Sequence, residues 1–232
     1  CTIPFISRYR KEATGALNDE QLRNLDERLK YLRNLEDKKT QVIASIAEQG
    51  LLTDELKNQI EKADTMVAVE DLYRPYRPKR RTRATIAKEK GLEPLANVIL
   101  LQMTGEPVVK TAEEYVSEEK DVKPPEDAVA GAKDIIAESI SDNADYRTRI
   151  RELTFKEGVL TSAAKDAEAK TVYEMYYNFS EPAAKMAGHR ILAVNRGENE
   201  KILTVKIEAP VDKILSYLEK QIIVRDNRYT TG

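Results

Sequence analysis

The sequence contains one cysteine, one histidine and no tryptophan among 232 residues. Cys1 alone supports neither an internal disulfide framework nor a cysteine-based zinc site. His189, the single imidazole, leaves histidine-rich metal chemistry and a histidine-containing catalytic set short of members. No apolar run approaches the roughly 18 residues needed to cross a bilayer, and the start carries no signal-peptide pattern. A cytoplasmic protein with no membrane partner is the expectation. An excess of one charge is missing too. The net is −2 although 34% of residues are charged, which excludes a uniformly basic nucleic-acid binder and confines any such activity to a local patch. Glycine and proline number nine each, which leaves long stretches free for helix. At this length one large or two medium domains can bury a core. The chain begins at Cys1 and stops at Gly232 directly after a periodic segment, and so reads as an excerpt from a longer protein.

What is present is mostly helical periodicity. Leu22, Leu25, Leu29 and Leu32 recur at spacings of three and four, with Leu35 beside them, an apolar stripe at helical period. Asn18 followed by Gln21 resembles a capping box, and Gly50 suits the far end. A helix over 19–49 would be about 45 Å long. Its seam meets Glu36 and Lys39 before recovering at Ile43 and Ile46, so a sustained coiled coil is not expected; a long helix packed against shorter ones is. Thr53 suits an N-cap for a helix carrying Leu56 and Ile60. Val67–Tyr73 reads as a short helix stopped by Pro75 and Pro78. Residues 84–90 and 94–103 read as a helix pair around Gly91.

Residues 105–127 hold three prolines and many acids and are the best candidate for a boundary. Beyond them Val129, Ala132, Ile136 and Ile140 restore the helical period, and another helix is expected over 143–157, ending at Gly158. The stripes at 22–46 and 129–140 are expected to be buried faces. Leu203, Val205 and Ile207 alternate with Thr204, Lys206 and Glu208, a period of two closed by Pro210. This is the one convincing strand, and its partner is not obvious. Ile214, Leu215, Leu218 and Ile222 return to helix. The predicted fold class is all-α: a multi-helix region with a helix-turn-helix-like unit and a minor β element near 202–208. The organisation predicted is a helical domain over 1–104, a loop or boundary over 105–127, and a second helical region with a short strand over 128–232.

The strongest local anomaly is chemical. Between 74 and 90 lie Arg74, Arg77, Lys79, Arg80, Arg81, Arg83, Lys88 and Lys90, opposed only by Glu89. That segment carries +7 in a chain of net −2. Pro75 and Pro78 hold the segment extended and spread the guanidinium groups, an arrangement that phosphate backbones reward through charge pairing and counterion release. The candidate nucleic-acid-binding residues are therefore Arg74, Arg77, Lys79, Arg80, Arg81, Arg83 and Lys88. The competing reading pairs them with the acidic 105–127 region or with neighbouring helices.

Ala87-x-x-x-Gly91 has the spacing of a helix-turn-helix, but the helix that follows is mostly apolar. Base readout needs outward polar side chains, and only Asn97 and Gln102 offer them, so packing is the favoured role of the pair. Tyr173, Tyr176, Tyr177 and Phe179 form an aromatic cluster of the kind on which single-stranded nucleic acids stack. Three of them share a helical face, which favours packing between helices. His189 reads as a structural residue. No phosphate-binding glycine loop, dinucleotide fingerprint or nucleophile elbow is present. No enzymatic activity, cofactor or metal is expected.

Three longer segments go beyond composition. Thr2-Ile3-Pro4-Phe5-Ile6-Ser7-Arg8-Tyr9-Arg10-Lys11-Glu12 resembles the opening signature of the bacterial Tex family of transcription accessory proteins. Glu70 through Ala84, centred on Tyr73-Arg74-Pro75-Tyr76-Arg77-Pro78, resembles its second signature. Ser180-Glu181-Pro182 through His189-Arg190 and on to Asn195-Arg196-Gly197-Glu198 resembles a third, with Ala187-Gly188 where the family more often has Pro-Ser. The three occur in the family's order and span essentially the whole chain. The resemblance implies a helical N-terminal region with a helix-turn-helix-like unit, preceding an RNase H-like domain, a helix-hairpin-helix region and an RNA-binding OB-fold that this chain lacks. It implies nucleic acid, RNA or DNA, as a partner through the full-length protein, together with the transcription machinery. The expectation is a helical scaffold whose basic segment contacts phosphates. The rival is a protein-interaction or structural module with no direct nucleic-acid binding.

Overall fold

A computed structural model of the chain describes residues 2–78, 80–118 and 122–230. Two compact units are present, Cys1–Pro78 and Lys79–Gly232. The mostly helical class is as expected: twelve α-helices and three short strands lie among the described residues.

The first unit contains α1 (Ile3–Tyr9), α2 (Lys11–Thr14), α3 (Asp19–Glu48), α4 (Asp54–Lys62) and α5 (Met66–Tyr73). The capping box forms: the Gln21 N–H donates to Asn18 Oδ1 at 2.8 Å, and the Asn18 N–H donates to Gln21 Oε1 at 3.0 Å. Thr53 and Thr65 cap α4 and α5 by accepting from the Leu56 and Ala68 N–H groups. Leu35, Val42 and Ile46 of α3 pack with Leu56, Ile60 and Val69. The expected stripe is only partly buried. Leu22 and Leu35 are inside, but Leu25, Leu29 and Leu32 are 56%, 43% and 40% exposed. The reason is coverage, because α4 and α5 supply the core that packs on the C-terminal half of α3. Lys39, which interrupts the seam in sequence, buries its stem there and directs its ammonium to Glu36 at 2.8 Å and to the Glu61 carbonyl at 2.9 Å.

The second unit runs α6 (Arg83–Glu89), α7 (Glu93–Leu101), α8 (Val108–Ala112), α9 (Pro125–Asp142), α10 (Ala144–Glu157), β1 (Val159–Ala164), β2 (Asn178–Pro182), α11 (Gly188–Asn199), β3 (Leu203–Glu208) and α12 (Val211–Ile222). Helices α6, α7 and α8 pack on α9. Gly131 of α9 permits this closeness, since a Cβ there would stand 2.4 Å from Leu92 Cδ1. The two compact units meet in sequence at 78/79, and the segment 105–127 belongs to the second. That segment holds α8 and a bridge between Ser117 and Val122. Val108, Ala112 and Val122 tie it into the core of the second unit.

The expected strand is β3, and its missing partner is β1, which pairs antiparallel with it and with β2 in the order β2-β1-β3. The aromatic cluster does not share a helix face. Tyr173 is buried, Glu174–Tyr176 forms one 3-10 turn, and Phe179 lies in β2. Local hydrogen bonds override the helical spacing: the Tyr177 hydroxyl donates to the Ala169 carbonyl at 2.5 Å, and Ser162 Oγ donates to the Tyr176 carbonyl at 2.7 Å. Helix α11 lies close on β3 because residue 197 is glycine; a Cβ there would sit 2.6 Å from Leu203 Cδ1 and 3.2 Å from the Tyr173 ring.

Candidate nucleic-acid interface

The basic segment begins where the α5 helix ends. Within the first unit its signature residues hold the C-terminus of α5 against α3. Lys38 pairs with Glu70 at 2.6 Å and lies over the Tyr73 ring at 5.9 Å. The Tyr73 hydroxyl shares a hydrogen with Ser45 Oγ at 3.0 Å, and Gln49 Nε2 donates to the Tyr76 carbonyl at 3.0 Å. Arg74–Tyr76 is a 3-10 turn and not extended chain, because Pro75 suits a first helical turn. Arg74 and Arg77 are exposed in this unit. Lys79 lies outside the described residues.

The remaining candidates belong to the second unit. Arg80 and Arg81 precede Thr82, the N-cap of α6, whose hydroxyl accepts from the Thr85 N–H at 3.0 Å and donates to Glu138 Oε1 at 3.0 Å. Arg83 and Lys88 lie on α6 itself, so Arg83 is helical where extended chain was expected. Arg81 pairs with Glu89 at 2.8 Å, Arg83 stands 3.7 Å from Asp134, and Lys88 stands 3.8 Å from Glu93. Their partners are thus neighbouring helices α6, α9 and α7, and no ion pair links them to 105–127 among the described residues. The side chains of Arg81 and Arg83 are 69% and 86% exposed. Ion pairs that wet are weak and exchangeable, so a phosphate can compete for either guanidinium. Arg80 is exposed with no acidic group within ion-pair distance among the described residues.

The helix pair that resembles a helix-turn-helix presents little for base readout. Leu95 and Ala96 of α7 face the core. Gln102 is 6% exposed, and both its amide nitrogen and its amide oxygen are hydrogen-bonded. Its Nε2 donates to the Ile222 carbonyl at 2.8 Å, and its Oε1 accepts from the Val224 and Arg225 N–H groups at 3.0 and 2.9 Å. It fastens the segment after α12 to the end of α7. Only Asn97 of the two candidate readers is exposed.

The third signature is also structural. Glu181 of β2 and Arg190 of α11 form a 2.8 Å ion pair, and the hydrogen bond to that carboxylate holds the guanidinium pKa above its ordinary value. Gly197 is the close-packing point described above. Tyr173 has its phenol pKa raised, first by burial and then by its hydrogen bond with Glu200. His189 is exposed at the start of α11. Among the described residues no group of three His, Cys, Asp or Glu side chains is placed to hold a metal ion, and no helix is long and apolar enough to cross a membrane.

These features define a helix-rich protein of two compact units, with a small antiparallel sheet and an exposed arginine cluster leading into α6. Residues 1–47 match the Tex-like protein N-terminal domain, and residues 104–227 match the Tex central region-like family. The chain is 53% identical over 233 residues to YdcI of Bacillus subtilis, covering 99% of this chain and 32% of that protein. It is 41% identical over 239 residues to the transcriptional accessory protein Tex of Neisseria gonorrhoeae, covering 100% of this chain and 31% of that protein. Human S1 RNA-binding domain-containing protein 1 is 32% identical over 216 residues, covering 89% of this chain and 21% of its own length. The chain belongs to the Tex family, and it spans about a third of the length of the bacterial relatives it matches.

Proposed function

We propose that this chain is a non-catalytic helical scaffold of a cytoplasmic transcription accessory protein, and that it meets nucleic-acid phosphates through Arg80, Arg81 and Arg83. The observation that carries the reading is the exposure of these three guanidinium groups at the entry to α6, with Arg80 unopposed by any described carboxylate. The names of the relatives support it: one is a transcriptional accessory protein and another carries an S1 RNA-binding domain. Contacts of this kind position a nucleic acid without reading its sequence. Binding of the 232-residue chain to single- and double-stranded oligonucleotides across a salt series tests it. Modest affinity, indifference to base order outside any single-base subsite, and a steep fall with salt are expected. Binding that does not respond to salt would overturn the reading.

The alternative, a protein-interaction or structural module, draws support from a different place. Leu25, Leu29 and Leu32 leave an apolar stripe of α3 uncovered, a feature of surfaces that meet other proteins.

A further inference from the structure

Beside the arginine cluster, and wholly within the second unit, lies a pocket of about 490 Å³, inside the size range of small-molecule sites. Its walls are α6, the Val122–Pro124 segment and α9. Asp127, Ala130, Gly131 and Asp134 recur on one face of α9 at spacings of three, one and three. Exposed Ala130 leaves a trough beside the Gly131–Leu92 contact, between two aspartates separated by about 10 Å of helix rise. Asp134 already stands 3.7 Å from Arg83, so exposed Asp127 is the acceptor without an ion pair among the described residues. Ile86, Ala87 and Leu92 extend the apolar floor, and Arg83, Lys90 and Lys123 stand around the opening. Arg83 therefore belongs both to this rim and to the proposed phosphate contact.

The chemistry of the three parts points to one kind of occupant. An apolar trough takes a flat ring. Carboxylates accept hydrogen bonds and donate none, so the ring must present donors at its edge. Cations at the mouth take the negative charge that such a ring carries on its backbone. Guanine fits best: its N1–H and its amino group are adjacent donors that match the two oxygens of one carboxylate. Adenine and cytosine offer a single amino group, and thymine or uracil sets one N–H between two acceptors that a carboxylate repels. The Watson–Crick edge is available only when the base is unpaired. We infer that this pocket receives an unpaired guanine of a single-stranded nucleic acid, with its flanking phosphates on Arg83 and Lys123. The inference rests on the phosphate reading above and adds a base-specific contact to it.

The test uses the 232-residue chain and twelve-nucleotide thymidine strands whose central position is dT, dC, dA, dG or abasic, with affinity read by fluorescence anisotropy. The strand with one dG should bind about tenfold more tightly than the all-thymidine strand, the discrimination that one good bidentate base contact supplies. The change Asp127→Asn should abolish that preference without weakening the all-thymidine strand. Ala130→Leu, which fills the trough without altering charge or helix propensity, should abolish it as well, with an unchanged circular dichroism spectrum as the check on folding. Equal affinity for dG, dT and abasic strands overturns the pocket and leaves the phosphate reading standing. Failure to bind any strand overturns both.

Discussion

Leu29 and Leu35 lie six residues apart on α3 and have different surroundings. Leu35 is 2% exposed in the core of the first unit, and Leu29 is 43% exposed. Replacing Leu35 by alanine is expected to cost about 2–5 kcal/mol, the range for deleting a buried leucine side chain. Leu29→Ala should cost well under that, because it removes little buried surface and leaves no cavity. Chemical denaturation of the two variants checks the contrast, and equal losses would show that the N-terminal half of α3 is covered in solution. Both leucines follow the helical spacing of three or four, and that spacing does not show which of them is covered. Coverage is decided by α4 and α5, which pack from later in the chain. Lys39 shows the converse: the sequence marks it as a break in the seam, yet a long aliphatic stem with nearby oxygens at Glu36 and Glu61 lets it lie in the core.

Helices are the legible elements of this chain, because their ends are written locally. Asn18, Thr53 and Asn143 each cap a helix by accepting a hydrogen bond from the N–H three residues on. Strands β1 and β2 carry no such mark. Val159–Ala164 ends in small residues without clear alternation, and β2 has five residues ending in Pro182. Strand β1 depends on pairing with β3 across some forty residues of intervening chain, and β2 on pairing with β1, which a local pattern does not record. The aromatic spacing at 173, 176 and 177 is equally compatible with a turn, and side-chain bonds to Ala169 and Thr171 decide for the turn.

One contact between elements carries a pH signature. Lys213 of α12 donates to Glu157 of α10 at 2.5 Å, and this hydrogen bond holds the Glu157 carboxyl below its ordinary value. A depressed carboxyl stabilises the fold fully above the unfolded value, about 4.3 for glutamate, and loses that contribution as pH falls through the folded value. Glu157→Gln should therefore melt lower than the parent at pH 7. The gap should close as the solution is acidified below the ordinary glutamate range. A gap that is unchanged by acid would show that the pair makes no net contribution.

At the scale of the molecule, the chemistry was more legible than its context. The run from Arg74 to Lys88 stands out in the sequence by charge alone, and exposure of its arginines needs no long-range information. Its division at 78/79 was not legible, because the basic residues run on across that point without a change in composition. Nor does the sequence reveal that Gln102 is consumed by the segment after α12, since its partners lie more than a hundred residues on. If the arginines bind phosphates and contribute little to folding, the two roles move different observables. Arg80→Ala with Arg81→Ala, measured against the parent in nucleic-acid titrations from low to physiological salt with a thermal melt of each protein, separates them most directly. The predicted result is weaker binding to every strand and a log–log salt slope reduced by about 1.4 to 1.8, two contacts at about 0.7 to 0.9 each, with the melting temperature unchanged. A lowered melting temperature with affinity and slope intact would contradict the account and make the cluster a part of the scaffold alone.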